Sequence, residues 1–395
     1  MKQLIKKNIH RVYRYLSVKV SLPRIYRQEA RKSIDERKVL FVVPRYETLP
    51  AGLSYVHRIL EESRQFDIHV HYLRSLTLQR FEKYAVAKEF IRDLGTAKYL
   101  FMDEANEQLS GFDKRPETKV VQLWHGCGAF KKFGFSTADK IFGETAKQQR
   151  QYNFYKNCDV VTVSSPEVVW AYEEAMQLEG QNVVKPLGIS RTDQFFDPAF
   201  VESAKQRVLD AIGDPDKKII LYAPTFRGRV AEAVGPDPFD YDALFEHLSD
   251  DYVLLVKHHP LVKELPEIPA QYKDSFIFDV TRSLDIEDLL CAADICISDY
   301  SSLIFEYSLF NRPLILFAYD LDEYDDWRGF YYDFDDYAAG PILKTTDELI
   351  DYIEHVGERY DQERMDAFRE RFMSACDGRV TERIVEYVQA CGPSG

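Results

Sequence analysis

Short apolar runs alternate with helical stretches along the chain from Lys38 onward. The first set of apolar runs comprises KVLFVVP (38–44), IHVHYL (68–73), AKYLFMD (97–103), VVQLW (120–124) and DVVTVSS (159–165). The second set comprises KIILYAP (218–224), YVLLVK (252–257), SFIFD (275–279), ADICIS (293–298) and PLILF (313–317). This alternation predicts an α/β fold in which the runs are strands of parallel sheets.

The two sets of predicted strands indicate two domains. Residues 187–217 separate the sets and contain LGISRTDQFFDP and one helical stretch, so we place the junction near residues 188–215. We divide the chain into an arm (1–36), an N-terminal domain (37–200) and a C-terminal domain (201–395). With 395 residues, of which 45% are hydrophobic, each domain can bury its own core. Two doubly wound Rossmann-type domains facing each other across a cleft are the simplest architecture.

The N-terminal arm is strongly basic. Its first 32 residues contain ten Lys or Arg and one acid, Glu29, although the whole chain has a net charge of −14. Four apolar residues recur at helical spacing, with Lys and Arg on the other faces: Ile5, Ile9, Val12 and Leu16. This amphipathic pattern is typical of an interfacial helix that binds an anionic membrane surface. A helix docked on the protein's own acidic body is the alternative, and periodicity does not separate the two.

Composition and motifs exclude several functional classes. The negative net charge argues against nucleic-acid binding. No apolar run approaches the roughly 20 residues of a spanning helix, and a secretory signal is lacking, so we expect a cytoplasmic protein. The six cysteines show no CxxC pair and no zinc spacing, so we expect neither disulfides nor a bound metal. Walker A, GxGxxG, GxSxG and kinase signatures are absent, which leaves a nucleotide-diphosphate transferase without a resident cofactor. A requirement for Mg²⁺ carried on the nucleotide stays open.

Open parallel sheets bind ligands beyond the carboxyl ends of their strands, so the residues that follow each run are candidates for a binding site. In the N-terminal domain His125 follows VVQLW, within WHGCGAFKKFG, and Lys131 adds positive charge nearby. Histidine is suited to proton transfer near neutral pH, which makes His125 a candidate catalytic residue. A structural role for a histidine after a strand is the alternative.

Two strand ends of the C-terminal domain carry groups suited to a phosphorylated donor. Thr225, Arg227 and Arg229 follow KIILYAP, and His258 and His259 follow YVLLVK. Guanidinium and hydroxyl groups bind phosphate well, although the arginines could instead pair with acids on this acidic surface. Because strand alternation sends the two imidazoles in opposite directions, we expect one of them in the site.

The segment SDYSSLIFEYSLF (298–310) predicts an anion site at a helix start. Ser301 and Ser302 add hydroxyl donors to the backbone N–H groups of the first turn. Asp299 would repel a phosphate, so helix capping or hydroxyl orientation suits it better than direct contact. Glu306 could reach a ribose hydroxyl or lie in solvent or at the edge of the core. Arg328 is the single cation of the acidic, aromatic loop 318–336 and could face the cleft.

Several motifs occur together in one order along residues 120–335. They are WHG with a following Lys (124–132), GISRTD (188–193), APTFR (223–227), HP (259–260), SDYSS (298–302) and RP followed by YDLDEY and RGFYYDF (312–334). This combination resembles the CDP-glycerol glycerophosphotransferase family of teichoic acid biosynthesis. The resemblance implies a GT-B-like fold of two Rossmann-type domains.

The resemblance also implies a reaction and roles for individual residues. An acceptor hydroxyl on a polyprenyl-diphosphate-linked glycan or polymer would attack the β-phosphorus of CDP-glycerol or CDP-ribitol and release CMP, at the cytoplasmic face of the membrane. His125 matches the general base of the WHG motif, and His259 matches the HP histidine, a phosphate contact or acid. Donor-binding positions are matched by Thr225, Arg227, Ser301, Ser302 and Arg328.

The sequence departs from the family's common pattern at two motifs. WHGCGAFKKFG stands where many members read WHGTPLK, and Ser190 stands where proline is common. The residues of the first motif are more similar to those of primases and of relatives that transfer ribitol phosphate than to those of long glycerol-phosphate polymerases. The identity of the donor polyol therefore stays open. The alternative functions are a GT-B glycosyltransferase that uses a nucleotide sugar and a non-catalytic, membrane-bound nucleotide-binding scaffold.

Overall fold

The computed structural model describes residues 2–74, 76–141, 143–228, 232–324 and 328–390. Arg229 and residues 325–327 of the acidic loop lie outside the described residues. The chain forms two compact units. Unit 1 comprises the chain up to Gly126, Lys132–Asp193 and the chain from Ala375 onward, and unit 2 comprises Cys127–Lys131 and Gln194–Ser374.

Each unit is built around a six-stranded sheet in which all pairings are parallel. The strands of unit 1 are β1 (Asp35–Val43), β2 (Asp67–Tyr72), β3 (Ala97–Met102), β4 (Lys119–Gln122), β5 (Val160–Thr162) and β6 (Val184–Lys185). Those of unit 2 are β7 (Lys218–Tyr222), β8 (Tyr252–Val256), β9 (Ile277–Asp279), β10 (Ile295–Ser298), β11 (Leu314–Phe317) and β12 (Ile342–Leu343). The ten predicted strands are all present, and β6 and β12 were missed because two residues carry no pattern.

The order of the strands identifies where each sheet can bind a ligand. The order in unit 1 is β2-β1-β3-β4-β5-β6, and the order in unit 2 is β12-β11-β10-β7-β8-β9. The chain therefore reverses its direction of progress between β1 and β3 in unit 1 and between β7 and β10 in unit 2. Loops that leave neighbouring strands in opposite directions open a crevice at the carboxyl ends of those strands.

Fourteen α-helices lie among the described residues. They are α1 (Lys2–Tyr15), α2 (Leu22–Glu29), α3 (Ala51–Glu62), α4 (Arg80–Leu94), α5 (Ala146–Gln151), α6 (Val169–Met176), α7 (Pro198–Ile212), α8 (Tyr241–Leu248), α9 (Ile286–Ala292), α10 (Leu303–Tyr307), α11 (Thr346–Glu354), α12 (Val356–Arg359), α13 (Gln362–Met373) and α14 (Val380–Ala390).

The central strands are buried on both faces. Residues 39–43 of β1 and all five residues of β8 are buried, which is why these strands read as continuous apolar runs rather than alternating ones. The core of unit 1 joins side chains of β1, β3 and β4 to α3 and α14, and the core of unit 2 joins its sheet to α8 and α11.

The division of the chain differs from the predicted one. The change from unit 1 to unit 2 falls at Asp193, inside the predicted junction but before the assigned boundary at 200/201, and the last helix returns to unit 1. Asp193 helps to hold this helix on unit 1, because its carboxylate accepts hydrogen bonds from the amides of Val380 and Thr381 at 3.0 and 2.7 Å. The first turn of α14 is thereby capped.

The second half of the arm docks on unit 1. Leu22 and Tyr26 of α2 are buried, and Tyr26 stacks on Phe112 with ring centroids 4.1 Å apart. The Lys19 ammonium donates to a backbone carbonyl of unit 1 at 2.7 Å, and near the end of α1, in the first half of the arm, Arg14 Nε already lies 2.6 Å from Glu107 Oε1. This part of the arm is therefore docked on the protein itself, which was the alternative to membrane binding.

The first half of the arm keeps its apolar side chains in solvent. Ile9, Val12 and Leu16 are 53%, 59% and 52% exposed. The side chain of Ile5, the fourth member of the predicted stripe, lies outside the described part of the chain. None of the described helices combines the length and apolar character needed to cross a bilayer.

Candidate active site

The carboxyl end of β4 presents His125 on a constrained turn. Trp124 has a φ of +56°, a left-handed conformation that large side chains rarely adopt. Its amide donates to Gln122 Oε1 at 3.0 Å, and its ring stacks on the imidazole with centroids 4.7 Å apart. An unfavourable backbone conformation held by such contacts is typical of functional sites, and here it fixes the orientation of the imidazole.

Hydrogen bonding determines which nitrogen of His125 carries the proton. Nδ1 lies 2.9 Å from the backbone carbonyl of Asp103, and because a carbonyl only accepts, Nδ1 is the donor. The residue is accessible at the surface, yet protein atoms crowd its ring, and this loss of solvation lowers the pKa of His125. At neutral pH the ring is therefore uncharged with its lone pair on Nε2, the form that a general base requires.

Two carboxylates at the end of β3 flank His125. Asp103 is 4% exposed, and its Oδ1 has no hydrogen-bond partner among the described residues. Burial, with the negative charge of Glu104 as a second cause, raises the pKa of Asp103 to about 7. Glu104 Oε2 lies 3.0 Å from Arg45 Nε, which follows β1. The group thus lies at the point where the strand order of unit 1 reverses.

Sequence reasoning missed Asp103 and Glu104, although AKYLFMD places Asp103 directly after a strand. The rule that selected His125 would have selected both carboxylates as well.

In unit 2, Asp299 connects the loops that follow β7 and β10. It is 1% exposed, and its Oδ1 accepts hydrogen bonds from the amides of Thr225 and Tyr300 at 2.8 and 2.6 Å. Its Oδ2 accepts from Arg227 Nη1 at 2.9 Å. Every oxygen of the carboxylate is engaged, so Asp299 organises the loops at the reversal point of this sheet. It does not occupy the N-cap of α10, which is Ser302.

The guanidinium of Arg227 is held by two carboxylates. Besides its bond to Asp299, its Nε and Nη2 donate to Asp320 at 2.6 and 3.0 Å. Burial alone would lower the pKa of Arg227, but the bonds to Asp320 and the charge of Asp299 outweigh it and raise the pKa. Three aromatic rings lie within 5.5 Å of the guanidinium carbon: Tyr300, Tyr319 and Tyr324. Pairing with acids, the alternative left open by the sequence, is the arrangement that the structure has.

The histidine pair divides as alternation predicts. His258 is buried, and burial lowers its pKa. His259 is exposed, and its Nδ1 accepts a hydrogen bond from the amide of Leu261 at 3.1 Å, so Nε2 carries the proton. Crowding around the His259 ring and the positive charge of Lys131 lower its pKa, which keeps the imidazole neutral with one N–H for a ligand.

Hydroxyl groups surround the same strand ends. Ser302 is exposed at the N-cap of α10, and Ser301 is half-buried before it. The buried Oγ1 of Thr225 has no hydrogen-bond partner among the described residues. Together with the backbone N–H groups of the first turn of α10, these groups form a set of donors suited to phosphate oxygens.

Three further residues were predicted to contact the substrate: Lys131, Glu306 and Arg328. Lys131 Nζ donates to the hydroxyl of Tyr324 at 2.6 Å. Glu306 is 5% exposed and its Oε1 lies 3.8 Å from the thiol of Cys127, a position at the edge of the core; contact with a ribose hydroxyl stays a prediction. Arg328 is half-buried in its loop.

Gly128, two residues after WHG in this chain, occupies a position that requires glycine. It has a φ of +61°, and a Cβ there would lie 2.4 Å from the ring of Phe305. No other residue fits without displacing that ring.

Comparison with known proteins identifies the family. A family model described as "CDP-Glycerol:Poly(glycerophosphate) glycerophosphotransferase" matches residues 24–390. The chain belongs to the CDP-glycerol glycerophosphotransferase family. The match covers the described strands of both units and every predicted site residue.

Two curated relatives come from Bacillus spizizenii. A "Teichoic acid poly(ribitol-phosphate) polymerase" is 35% identical over 363 residues, which cover 90% of this chain and 56% of the relative. A "Teichoic acid ribitol-phosphate primase" is 36% identical over 305 residues, which cover 76% of this chain and 77% of the relative. The chain thus spans little more than half the length of the polymerase.

The fold has a solved counterpart. The "Structure of the Wall Teichoic Acid Polymerase TagF" matches with a TM-score of 0.73 and 21% identity, covering 99% of this chain and 98% of that one. This likeness confirms the α/β fold with two Rossmann-like, parallel-sheet units of GT-B type.

Proposed function

We propose that the protein transfers a polyol phosphate from CDP-ribitol or CDP-glycerol to a hydroxyl of a polyprenyl-diphosphate-linked acceptor and releases CMP. The observation that carries the proposal is the state of His125, in a chain whose family match spans residues 24–390. Its Nδ1–H is held by a carbonyl and its pKa is lowered, so Nε2 can accept a proton at neutral pH.

The proposed reaction is a direct displacement at phosphorus. The acceptor oxygen attacks the β-phosphorus of the donor while its proton passes to Nε2 of His125. A new P–O bond forms, the bond between the β-phosphorus and the bridging oxygen breaks, and CMP leaves with the electron pair. Positioning and charge stabilisation carry most of the catalysis in such transfers.

Donor binding is assigned to unit 2. The neutral His259 offers Nε2–H, and the hydroxyls of Thr225, Ser301 and Ser302 offer further donors to the diphosphate. The guanidinium of Arg227 is bonded to two carboxylates, so we assign Arg227 the role of holding the donor-binding loop in place rather than contacting the phosphates. This assignment makes Arg227 a positioning residue.

Ribitol phosphate is the donor group to test first. The two relatives described above are named for ribitol-phosphate transfer, and the WHGCGAFKKFG wording points the same way. The experiment incubates the purified chain with CDP-ribitol and, separately, with CDP-glycerol on a lipid-linked disaccharide, and weighs the products by mass spectrometry.

The expected product is heavier by one or more polyol-phosphate units, with CMP released in equal number. Hydrolysis of a nucleotide sugar with a glycosylated acceptor would contradict the proposal and favour a glycosyltransferase. Absence of turnover with all donors would favour a binding scaffold.

We further propose that the arm holds the protein on the cytoplasmic face of the membrane, near a lipid-linked acceptor. The exposed stripe of Ile9, Val12 and Leu16 supports this, since each buried apolar side chain adds about 1.5–3 kcal/mol of membrane affinity. The double variant Ile9→Glu, Val12→Glu should sediment less with anionic liposomes. The control Ile141→Glu changes an apolar residue outside the arm that is even more exposed, at 82%. Equal sedimentation of both variants and the parent would refute membrane binding by this stripe.

A further inference from the structure

A cluster of two histidines and one aspartate lies in unit 1, apart from the site of His125. His69 and His71 are two residues apart on β2, so both rings lie on the same face of this edge strand. Asp93, in the last turn of α4, meets them with one oxygen. Asp93 Oδ2 lies 2.6 Å from His69 Nδ1 and 3.0 Å from His71 Nε2.

We propose that His69, His71 and Asp93 form a binding site for one Zn²⁺-class metal ion. Two imidazole nitrogens and one carboxylate oxygen are a ligand set typical of zinc sites that keep a further position open. The three ligand atoms lie within 4.8 Å of one another, and they are the one such group among the described residues.

The distances fit a metal after a small expansion. Tetrahedral zinc with bonds of about 2.0–2.1 Å holds its ligand atoms about 3.3 Å apart. The present separations of 2.6 and 3.0 Å are those of hydrogen bonds, so the ligand atoms must move apart by about 0.7 and 0.3 Å. His69 is half-exposed on an edge strand and can make this movement. The metal would replace the two ring protons that now bridge to Asp93.

Partners of the ligands are already in place behind them. His69 Nε2 lies 3.2 Å from Asp67 Oδ2, the carboxylate–histidine arrangement that orients metal-bound imidazoles. The other oxygen of Asp93 accepts hydrogen bonds from Lys38 at 2.7 Å, which leaves Oδ2 as the ligand atom.

The open position faces a cavity. A cavity of about 610 Å³ is lined by the three ligands together with Arg74, Glu82 and Glu89. A fourth ligand can therefore be water or a small anion from this space. β2 is separated from β4 by two strands, about 14 Å at the usual strand spacing, so the metal would not take part in the chemistry at His125.

The sequence predicted no metal, because its cysteines show no CxxC pair and no zinc spacing; Asp93 stands 22 residues after the second histidine of HVH, too far along the chain to suggest a site. The fold brings these residues together by packing α4 beside β2.

The test titrates Zn²⁺ into the full chain, freed of any polyhistidine tag and of metal, against a chromophoric chelator. The parent should bind one equivalent, and its melting temperature should rise with Zn²⁺ but not with Mg²⁺. His69→Gln and His71→Gln should each weaken binding by at least about 100-fold, and Asp67→Asn by about 10- to 100-fold. His247→Gln is the matched control, because His247 also pairs with a carboxylate, 2.9 Å from Glu354.

Far-UV circular dichroism confirms that the variants fold, and His69→Gln changes the more exposed of the two rings. Less than one equivalent bound to the parent, or equal affinity of the parent and both histidine variants, would overturn the proposal.

Discussion

Replacing Asp103 by asparagine should abolish a pH dependence of the stability of unit 1. The carboxyl of Asp103 is 4% exposed, and its pKa is raised from 3.8 to about 7. The folded chain therefore binds a proton that the unfolded chain has released between these two values. The contribution of this proton to the free energy of unfolding is fully present below pH 3.8. It falls as the pH rises through this window and levels off above about pH 7. Asparagine keeps the backbone carbonyl that holds His125 and removes the titration.

The size of the effect follows from the shift. A raised pKa of about three units corresponds to about 4 kcal/mol of lost stability when the pH is well above 7. Between about pH 5 and pH 8 the wild-type chain should lose about 2.5 kcal/mol relative to Asp103→Asn. The variant is thus relatively more stable at the higher pH.

Urea unfolding at both pH values, followed by tryptophan fluorescence, measures this difference. Two of the three tryptophans, Trp124 and Trp170, lie in unit 1, so with Trp327 replaced by Phe in every protein compared the signal reports on the unit that contains Asp103. Asp113→Asn, at an exposed carboxylate, is the control and should show no such pH-dependent difference. A difference between wild type and Asp103→Asn that is the same at both pH values would refute the reasoning.

Three further predictions concern other contacts. Arg227→Ala leaves Asp299 buried without its cation and Asp320 unpaired, so it should destabilise unit 2 by about 3 kcal/mol in thermal unfolding, and lysine should not rescue it; an unchanged melting temperature would contradict this. Asp193→Ala removes the cap of α14 and should cost about 1–2 kcal/mol, with faster hydrogen exchange confined to that helix. The acid limb of the profile of kcat/KM against pH should lie below about pH 6.5, because loss of solvation lowers the pKa of His125; a limb at or above that value would contradict the assignment.

The strands and their carboxyl ends could be predicted because parallel strands buried on both faces produce continuous apolar runs. KVLFVVP became β1, and the polar residues after VVQLW and ADICIS lie at the strand ends as expected. These patterns are local, so sequence alone is sufficient to find them.

The pairing of side chains could not be predicted, because it depends on which strands become neighbours. The sequence allowed Arg227 either to bind phosphate or to pair with an acid. The pairing of β7 with β10 places its guanidinium against Asp299, which sequence alone does not reveal. The return of α14 to unit 1 depends in the same way on Asp193, a contact across 187 residues of sequence.

The most direct test of the account separates donor binding from proton transfer. His125→Ala and wild type are compared for CDP-polyol affinity by calorimetry and for CMP release in a single turnover with a lipid-linked acceptor, with His247→Ala as the control. The account predicts unchanged donor affinity in His125→Ala and CMP release slower by about 10²- to 10⁴-fold. Release at the wild-type rate from His125→Ala would contradict the assignment of His125 as the base.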